Sequence, residues 1–393
     1  MKGWRVETPG RLSTFTVRAG DVLNINEGPA IEIGALIVEG SQVIEEDPVG
    51  AAARGDAYVF VDRYANILIN NTVINNSNGM FYDAEGNALY REAGIVVDGI
   101  IQYTAETRME SAETASMVYH NTSISDITLA VGTYGRLEIR KSGNVGLYAG
   151  GYTFAQDLLI AGDDMTGITF NGVDSDAETG TRFIGNLVVE NKTVSESWDD
   201  NGNPVQEISY VDSLVSFAKM HIAGNLTANH TKLSFDDVNV NGNITHKNGT
   251  FTAADSTFTG TVDIYAALPM VEGESGGLEP QWAEISISNS TFAGGTDWNL
   301  KLSGTNVTLS HNGLTFAGGK GALYLGNMNL DDAVADYNVL DNIKITGNYN
   351  GDLFHTDIDL VMKNLNITGG ATGNPTPYVP VSYATIQNVA GVQ

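Results

Sequence analysis

Between Ile222 and Ile264 the chain reads IAGNLTANHTKLSFDDVNVNGNITHKNGTFTAADSTFTGTVDI and repeats itself. Gly224-Asn225-Leu226-Thr227 returns as Gly242-Asn243-Ile244-Thr245 and, at an equal further step and more loosely, as Gly260-Thr261-Val262-Asp263. The apolar positions keep the step: Ile222, Val240 and Phe258 form one file, Leu233 and Phe251 another. So short a unit cannot bury its own apolar face and must stack on its neighbours, which is the logic of a solenoid. Inside the unit, Leu233-Ser234-Phe235 and Val238-Asn239-Val240 alternate apolar with polar, the pattern of half-buried strands. Gly, Asn and Asp separate the runs and supply the tight or left-handed turns that β-branched residues resist. The expected fold is all-β: a right-handed parallel β-helix of three-stranded coils of about 18–24 residues, stacked about 4.8 Å apart.

The same texture covers most of the 393 residues, so length adds coils, and a single solenoid domain is expected. Residues 1–57 are less regular and read as an N-terminal cap with the first irregular coils, which would cover the open strand edges. Residues 58–370 read as the β-helix proper, with excursions at 80–92, 194–210 and 266–283, and residues 371–393 as a Pro-rich tail. The excursion at 194–210 reads as a hairpin about Asn201-Gly202-Asn203-Pro204, and that at 80–92 as a hairpin about Asp83 to Asn87. At 266–283 two prolines and a Gly-Gly predict broken strand. Residues 104–122 admit a short helix, although their apolar spacing is poor. Past residue 290 the period lengthens. Thr291-Phe292-Ala293-Gly294-Gly295 returns as Thr315-Phe316-Ala317-Gly318-Gly319, and Lys344-Ile345-Thr346-Gly347 as Asn366-Ile367-Thr368-Gly369.

Charge narrows the partners. Asp and Glu number 47 against 20 Lys and Arg, a formal charge of −27 that repels phosphate backbones and disfavours nucleic acid and anionic membrane surfaces. There is no cysteine, which removes disulfides, thiolate metal sites and cysteine nucleophiles together. No apolar run is long enough to predict a membrane-spanning helix. The opening MKGWRVETPG lacks the apolar core of a signal peptide, so an exported protein of this kind would be represented here by a mature fragment.

Catalysis by a β-helix needs two carboxylates facing one cleft. The acidic pairs Asp163-Asp164, Asp199-Asp200, Asp236-Asp237 and Asp331-Asp332 are adjacent in sequence, and neighbours in a strand point to opposite faces unless they lie in a turn. Polygalacturonases of this architecture carry Gly-His-Gly and Arg-Ile-Lys, and neither occurs. No catalytic residue is therefore assigned, and a polysaccharide lyase, hydrolase or tailspike-like protein is the alternative. For calcium, Asp199, Asn201 and Asn203 match the first ligand positions of an EF-hand loop, but Pro204 stands where that loop needs glycine. Asp174, Asp176 and Glu178 form the other acidic loop able to ligate a hard cation; no cofactor is required by the sequence. Arg54-Gly55-Asp56 leads straight into a strand and reads as a turn. The Asn-x-Ser/Thr sequons at Asn225, Asn243, Asn306 and Asn366 read as corner residues stacking in ladders. Aromatic residues in the excursions can meet a sugar ring or a protein, so Trp198 with Asp199 and Asp200, Trp282, Phe81, Tyr82 and Tyr90 are the candidate ligand contacts.

GNLTANHTKLSF, GNITHKNGTFTAADSTFTGTVDI and NVTLSHNGLTFAGG resemble the passenger domains of bacterial autotransporters, in particular adhesins of the diffuse-adherence and self-associating type. The resemblance covers about residues 120–370 and rests on texture: Gly-Asn corners, Thr/Val/Ile strands, acidity and absence of cysteine. It implies export through an outer-membrane barrel, display on the bacterial cell surface, and adhesion to a host glycan or matrix protein, or to another copy of the chain, in aggregation and biofilm formation. The serine-protease motif Gly-Asp-Ser-Gly of one branch of that family is missing. A third reading is a surface-layer or filament subunit.

Overall fold

The computed structural model describes residues 14–18, 21–28, 30–39, 57–76, 81–82, 88–89, 94–113, 115–119, 126–140, 143–147, 151–161, 167–175, 181–190, 192–198, 204–210, 213–266, 271–272, 278–279, 283–305, 307–329, 339–351, 353–356, 360–368 and 384–387. Among these residues every regular element is a β-strand. The long sheets are built from parallel pairs, and the fold is a parallel β-helix. The chain divides into two compact units, Met1–Leu158 and Leu159–Gln393.

In the first unit one sheet runs through Thr14–Val17, Ile31–Val38 and Asn66–Asn75, the last carrying Ile100–Tyr103 and Arg108–Ser111 end to end along its length. The second sheet stacks Val22–Ile25, Tyr58–Val61, Ile95–Val97, Ser116–Tyr119 and Arg136–Ile139. The stretch at 104–122, open between helix and strand in sequence, thus contributes a strand to each sheet. Its alternation is weak because Thr104 to Thr107 turn the corner: the Thr107 hydroxyl donates to the Ile69 carbonyl at 2.7 Å and the Thr107 amide to the Thr104 carbonyl at 3.0 Å.

In the second unit each coil has three strand segments, two of which belong to the same sheet. Thr231–Val240 is one long strand, and its next coil splits into Gly249–Ala254 and Thr257–Phe258, both paired in register to it. The split falls at a residue in the left-handed region, Asp255 with φ 47°. The same corner is left-handed at Lys219, Asp237, Asn289, Gly313, Asn342 and Asn364, positions that the strand registers place one above another. Asn and Asp dominate because a left-handed backbone costs other L-residues about 1–2 kcal/mol. The third segment builds the second sheet, from Leu187–Glu190 through Leu226–Asn229, Ile244–Lys247 and Val262–Ala266 to Trp298–Thr305, Gly321–Asn329 and Phe354–Thr356.

The files expected from the repeat are present. Ile222, Val240 and Phe258 are register partners, continued by Phe292 and Phe316, and Leu233 pairs with Phe251. All are buried, and aromatic rings stack along the first file, Phe258 on Phe292 at 4.8 Å, and along a separate one, Phe170 on Phe217 at 5.4 Å. Each such side chain contributes about 1.5–3 kcal/mol by leaving water. The longer steps hold too: Thr291 pairs with Thr315 and Lys344 with Asn366.

Two excursions are antiparallel hairpins where expected, Lys192–Trp198 with Pro204–Tyr210 and Phe81–Tyr82 with Ala88–Leu89. The stretch at 266–283, where broken strand was expected, holds a further antiparallel pair, Val271–Glu272 with Leu278–Glu279. Within the tail, Ala384–Gln387 is a strand lying parallel to Leu360–Lys363.

Candidate functional site

Of the residues singled out in sequence, Trp198 ends one hairpin strand opposite Pro204, and Phe81 and Tyr82 form a strand of the other. Asp199, Asp200, Trp282, Tyr90, Asp176 and Glu178 lie outside the described residues, as do Arg54, Gly55 and Asp56. Asp174 is exposed. Its neighbour Ser175 donates from its hydroxyl to Oδ1 of Asp237 at 3.1 Å and accepts on its carbonyl from Nδ2 of Asn239 at 2.9 Å, which ties this segment down against the left-handed corner. Among the described residues no three His, Asp or Glu side chains converge as metal ligands. Asp236 and Asp237 occupy that corner and are both exposed.

The sequons at Asn225 and Asn243 serve the corners. The backbone N–H of Asn225 donates to Oδ1 of Asn186 at 3.3 Å, that of Asn243 to Oδ1 of Asn225 at 2.9 Å, and that of Thr261 to Oδ1 of Asn243 at 2.9 Å. The glycine at each of these corners lets successive coils touch: a Cβ on Gly242 would lie 2.0 Å from the Gly224 carbonyl oxygen, and one on Gly260, before Thr261, would lie 2.3 Å from that of Gly242.

A different surface gathers chemistry that the sequence does not announce. On the outer face of the second sheet of residues 159–393, the register aligns Thr245, Asp263, Lys301, Tyr324 and His355 in one column. They face outward because their strand neighbours Ile244, Val262, Leu300, Leu323 and Phe354 fill the core. Lys301 Nζ donates to Oδ2 of Asp263 at 3.1 Å, and the same ammonium lies 5.8 Å from the Tyr324 ring centre. Tyr324 and His355 are parallel, with ring centres 4.6 Å apart and planes 2° apart. Trp298 completes the group, 5.7 Å from Tyr324 and 6.3 Å from His355.

Two glycines make room for these rings. A Cβ on Gly321 would sit 2.3 Å from a carbon of the Trp298 indole, and a Cβ on Gly326 would sit 2.3 Å from a carbon of the Tyr324 ring. Each ring therefore occupies the space that a side chain at the glycine would fill, and Tyr324 keeps one face against His355. Trp298, Tyr324 and His355 are each half-buried, and Tyr265, one position over in the adjoining column, is 41% exposed. At the edge of the patch Lys320 pairs with Asp297 at 3.3 Å.

The arrangement can hold a ligand by ring faces and edges and by the polar groups between them. The single carboxylate of the column, Asp263, is engaged by Lys301, so the column does not present two carboxylates to one ligand. Among the described residues the groups with displaced pKa values are buried inside the solenoid, Tyr349 among them, whose hydroxyl accepts from Nδ2 of Asn299 at 3.0 Å. Burial pushes the phenols of Tyr103, Tyr119 and Tyr134 up, and Tyr134 donates to the Ala130 carbonyl at 2.8 Å. Burial lowers His246 to about 4, partly offset by its hydrogen bond to the Thr231 carbonyl.

Sequence reasoning missed the patch because it assigned aromatic contacts to the excursions. The signal was present as Trp298, Tyr324 and Gly326 within strand-like runs, but the step from Lys301 to Tyr324 is shorter than that from Tyr324 to His355, so no regular period links them. No known family model, curated protein or solved structure matches this chain.

Proposed function

We propose that this chain is a non-enzymatic binding protein of the bacterial cell surface, an adhesin of the autotransporter-passenger type that engages a glycan, a matrix protein or another copy of itself. The observation that carries the reading is the aromatic patch of Trp298, Tyr324 and His355, held half-exposed on the outer face of a sheet. Contiguous apolar surface rimmed by polar groups marks sites of contact, and aromatic side chains dominate contact energies. The lone, already paired carboxylate of the patch supports binding over hydrolysis. The parallel β-helix, its lack of cysteine and its charge of −27 suit export and display outside the cell.

The test is display of the chain on a bacterium, with clumping and adhesion to immobilised glycans and matrix proteins measured beside release of reducing sugar from polysaccharides. Adhesion or clumping without product supports the reading. Product release replaces it with a polysaccharide-degrading enzyme.

A further inference from the structure

We infer that the patch formed by Trp298, Tyr324, His355 and Lys301 is a saccharide-binding platform, and that the saccharide it takes is uncharged. This rests on the binding reading above and names the ligand class of that site.

The size of the patch suits a small ligand. The patch covers two strand spacings across the sheet, about 10 Å, and the stretch from Gly321 to Gly326 along it, about 15 Å. A specific protein–protein contact buries about 800 Å² on each side, several times this area. A few sugar rings match it.

Chemistry agrees with size. A pyranose presents a C–H-rich face and a rim of hydroxyls, so it needs a ring to lie on with hydrogen-bonding groups beside it. Trp298 lies against Gly321 and offers the ring face, while Tyr324, stacked on His355 and capped by the Lys301 ammonium, braces it and offers its edge and hydroxyl. Lys301, Asp263, His355 and, in the adjoining column, Ser303 supply donors and acceptors at the margin. Sites of this kind combine aromatic walls with a small number of polar groups that fix orientation.

Electrostatics select the neutral class. An acidic sugar would need a cation to itself, but Lys301 is held by Asp263 at 3.1 Å and Lys320 by Asp297 at 3.3 Å. The remaining field is that of a chain with net charge −27, which opposes the approach of uronate or sialylated polymers. A shallow platform gives weak single contacts, and strength comes from many copies on one surface.

The experiment is titration of the purified chain with neutral hexose and pentose oligosaccharides and with oligogalacturonate of equal length, followed by saturation-transfer NMR. Neutral oligosaccharides are expected to bind, with saturation passing to ring C–H protons from aromatic resonances. Trp298→Ala and Tyr324→Ala are each expected to weaken binding at least tenfold while the melting temperature stays near that of the parent. Trp298→Phe keeps Gly321 covered and is expected to retain most of the affinity, so it separates lost contact from lost folding. Preference for oligogalacturonate, or unchanged affinity in both alanine variants, overturns the inference. Failure to bind any saccharide while displaying cells still clump or hold matrix protein overturns it too, and leaves the binding reading standing. Failure of every one of these assays overturns both.

Discussion

The backbone N–H of Val238 donates to the hydroxyl of Ser256 at 3.1 Å, one coil further along the chain. Ser256 in turn donates its own N–H to the hydroxyl of Ser290 at 3.2 Å, and each hydroxyl donates to the carbonyl two residues before it, Ala254 at 2.7 Å and Ser288 at 2.8 Å. Both serines follow a left-handed residue, Asp255 or Asn289, where the sheet ladder is interrupted and a buried N–H needs another acceptor. Ser256→Ala is therefore expected to leave the Val238 N–H unsatisfied and to destabilise by about 1–3 kcal/mol. Asn243→Ala removes a comparable rung, but in solvent, where water replaces the lost partner, and is expected to cost about 1 kcal/mol or less. Denaturant midpoints of the two variants check the order; equal losses would mean that the buried serine ladder carries nothing special.

Gly242→Ala tests the close approach at the second corner. The new Cβ would stand 2.0 Å from a backbone oxygen of the preceding coil, an atom that cannot swing away as a side-chain tip can. Overpacking of this kind costs about 1–3 kcal/mol or more. The control is Gly28→Ala, where the nearest atom is 4.0 Å away and thermal melting is expected to hold.

These corners show what the sequence makes legible. Where coils are equal in length, Gly224, Gly242 and Gly260 recur at one step, and the chemistry that requires them, backbone touching backbone, is the same each time. The Phe258 file was readable for the same reason. The left-handed corner was legible only in part: Asp237, Asp255 and Asn289 are of the expected residue type, but Lys219 shares the geometry without it, and Thr231–Val240 runs through the corner as one strand. The aromatic patch was hidden more deeply. Trp298 and His355 stand two coils apart in sequence and meet only because coils of unequal length bring their strands into register.

The left-handed corner makes its own prediction. Asp255 at φ 47° is held in a conformation that glycine adopts freely and valine resists. Asp255→Gly is expected to leave stability within about 1 kcal/mol of the parent, whereas Asp255→Val is expected to lose about 2 kcal/mol through backbone strain. Urea unfolding of the pair measures the difference, and a valine variant as stable as the glycine one would contradict the corner geometry.

His246 links the repeat to pH. It stands inward in the second sheet between Ala228 and Ile264, fully buried, with its ring 6.3 Å from Phe251 and Nε2 at 2.9 Å from the Thr231 carbonyl. Burial is the larger cause of its lowered pKa, about 4; the Thr231 carbonyl raises it, and His230 nearby lowers it again. In the unfolded chain the same imidazole takes a proton near pH 6.5. Between these values the unfolded state binds a proton that the folded state refuses, so stability falls as pH drops from about 6.5 toward about 4 and the loss levels off below. At 1.36 kcal/mol per pH unit the full effect is about 3 kcal/mol. His246→Leu fills the file without a titratable ring, at a cost of about 1 kcal/mol near pH 7 for the lost hydrogen bond. Carboxylate titration is common to both chains, so the difference between parent and variant isolates the histidine. Melting temperatures at pH 7 and pH 4.5 are expected to converge or cross in favour of the variant as pH falls. Parallel curves would show that His246 titrates alike in the folded and unfolded chain.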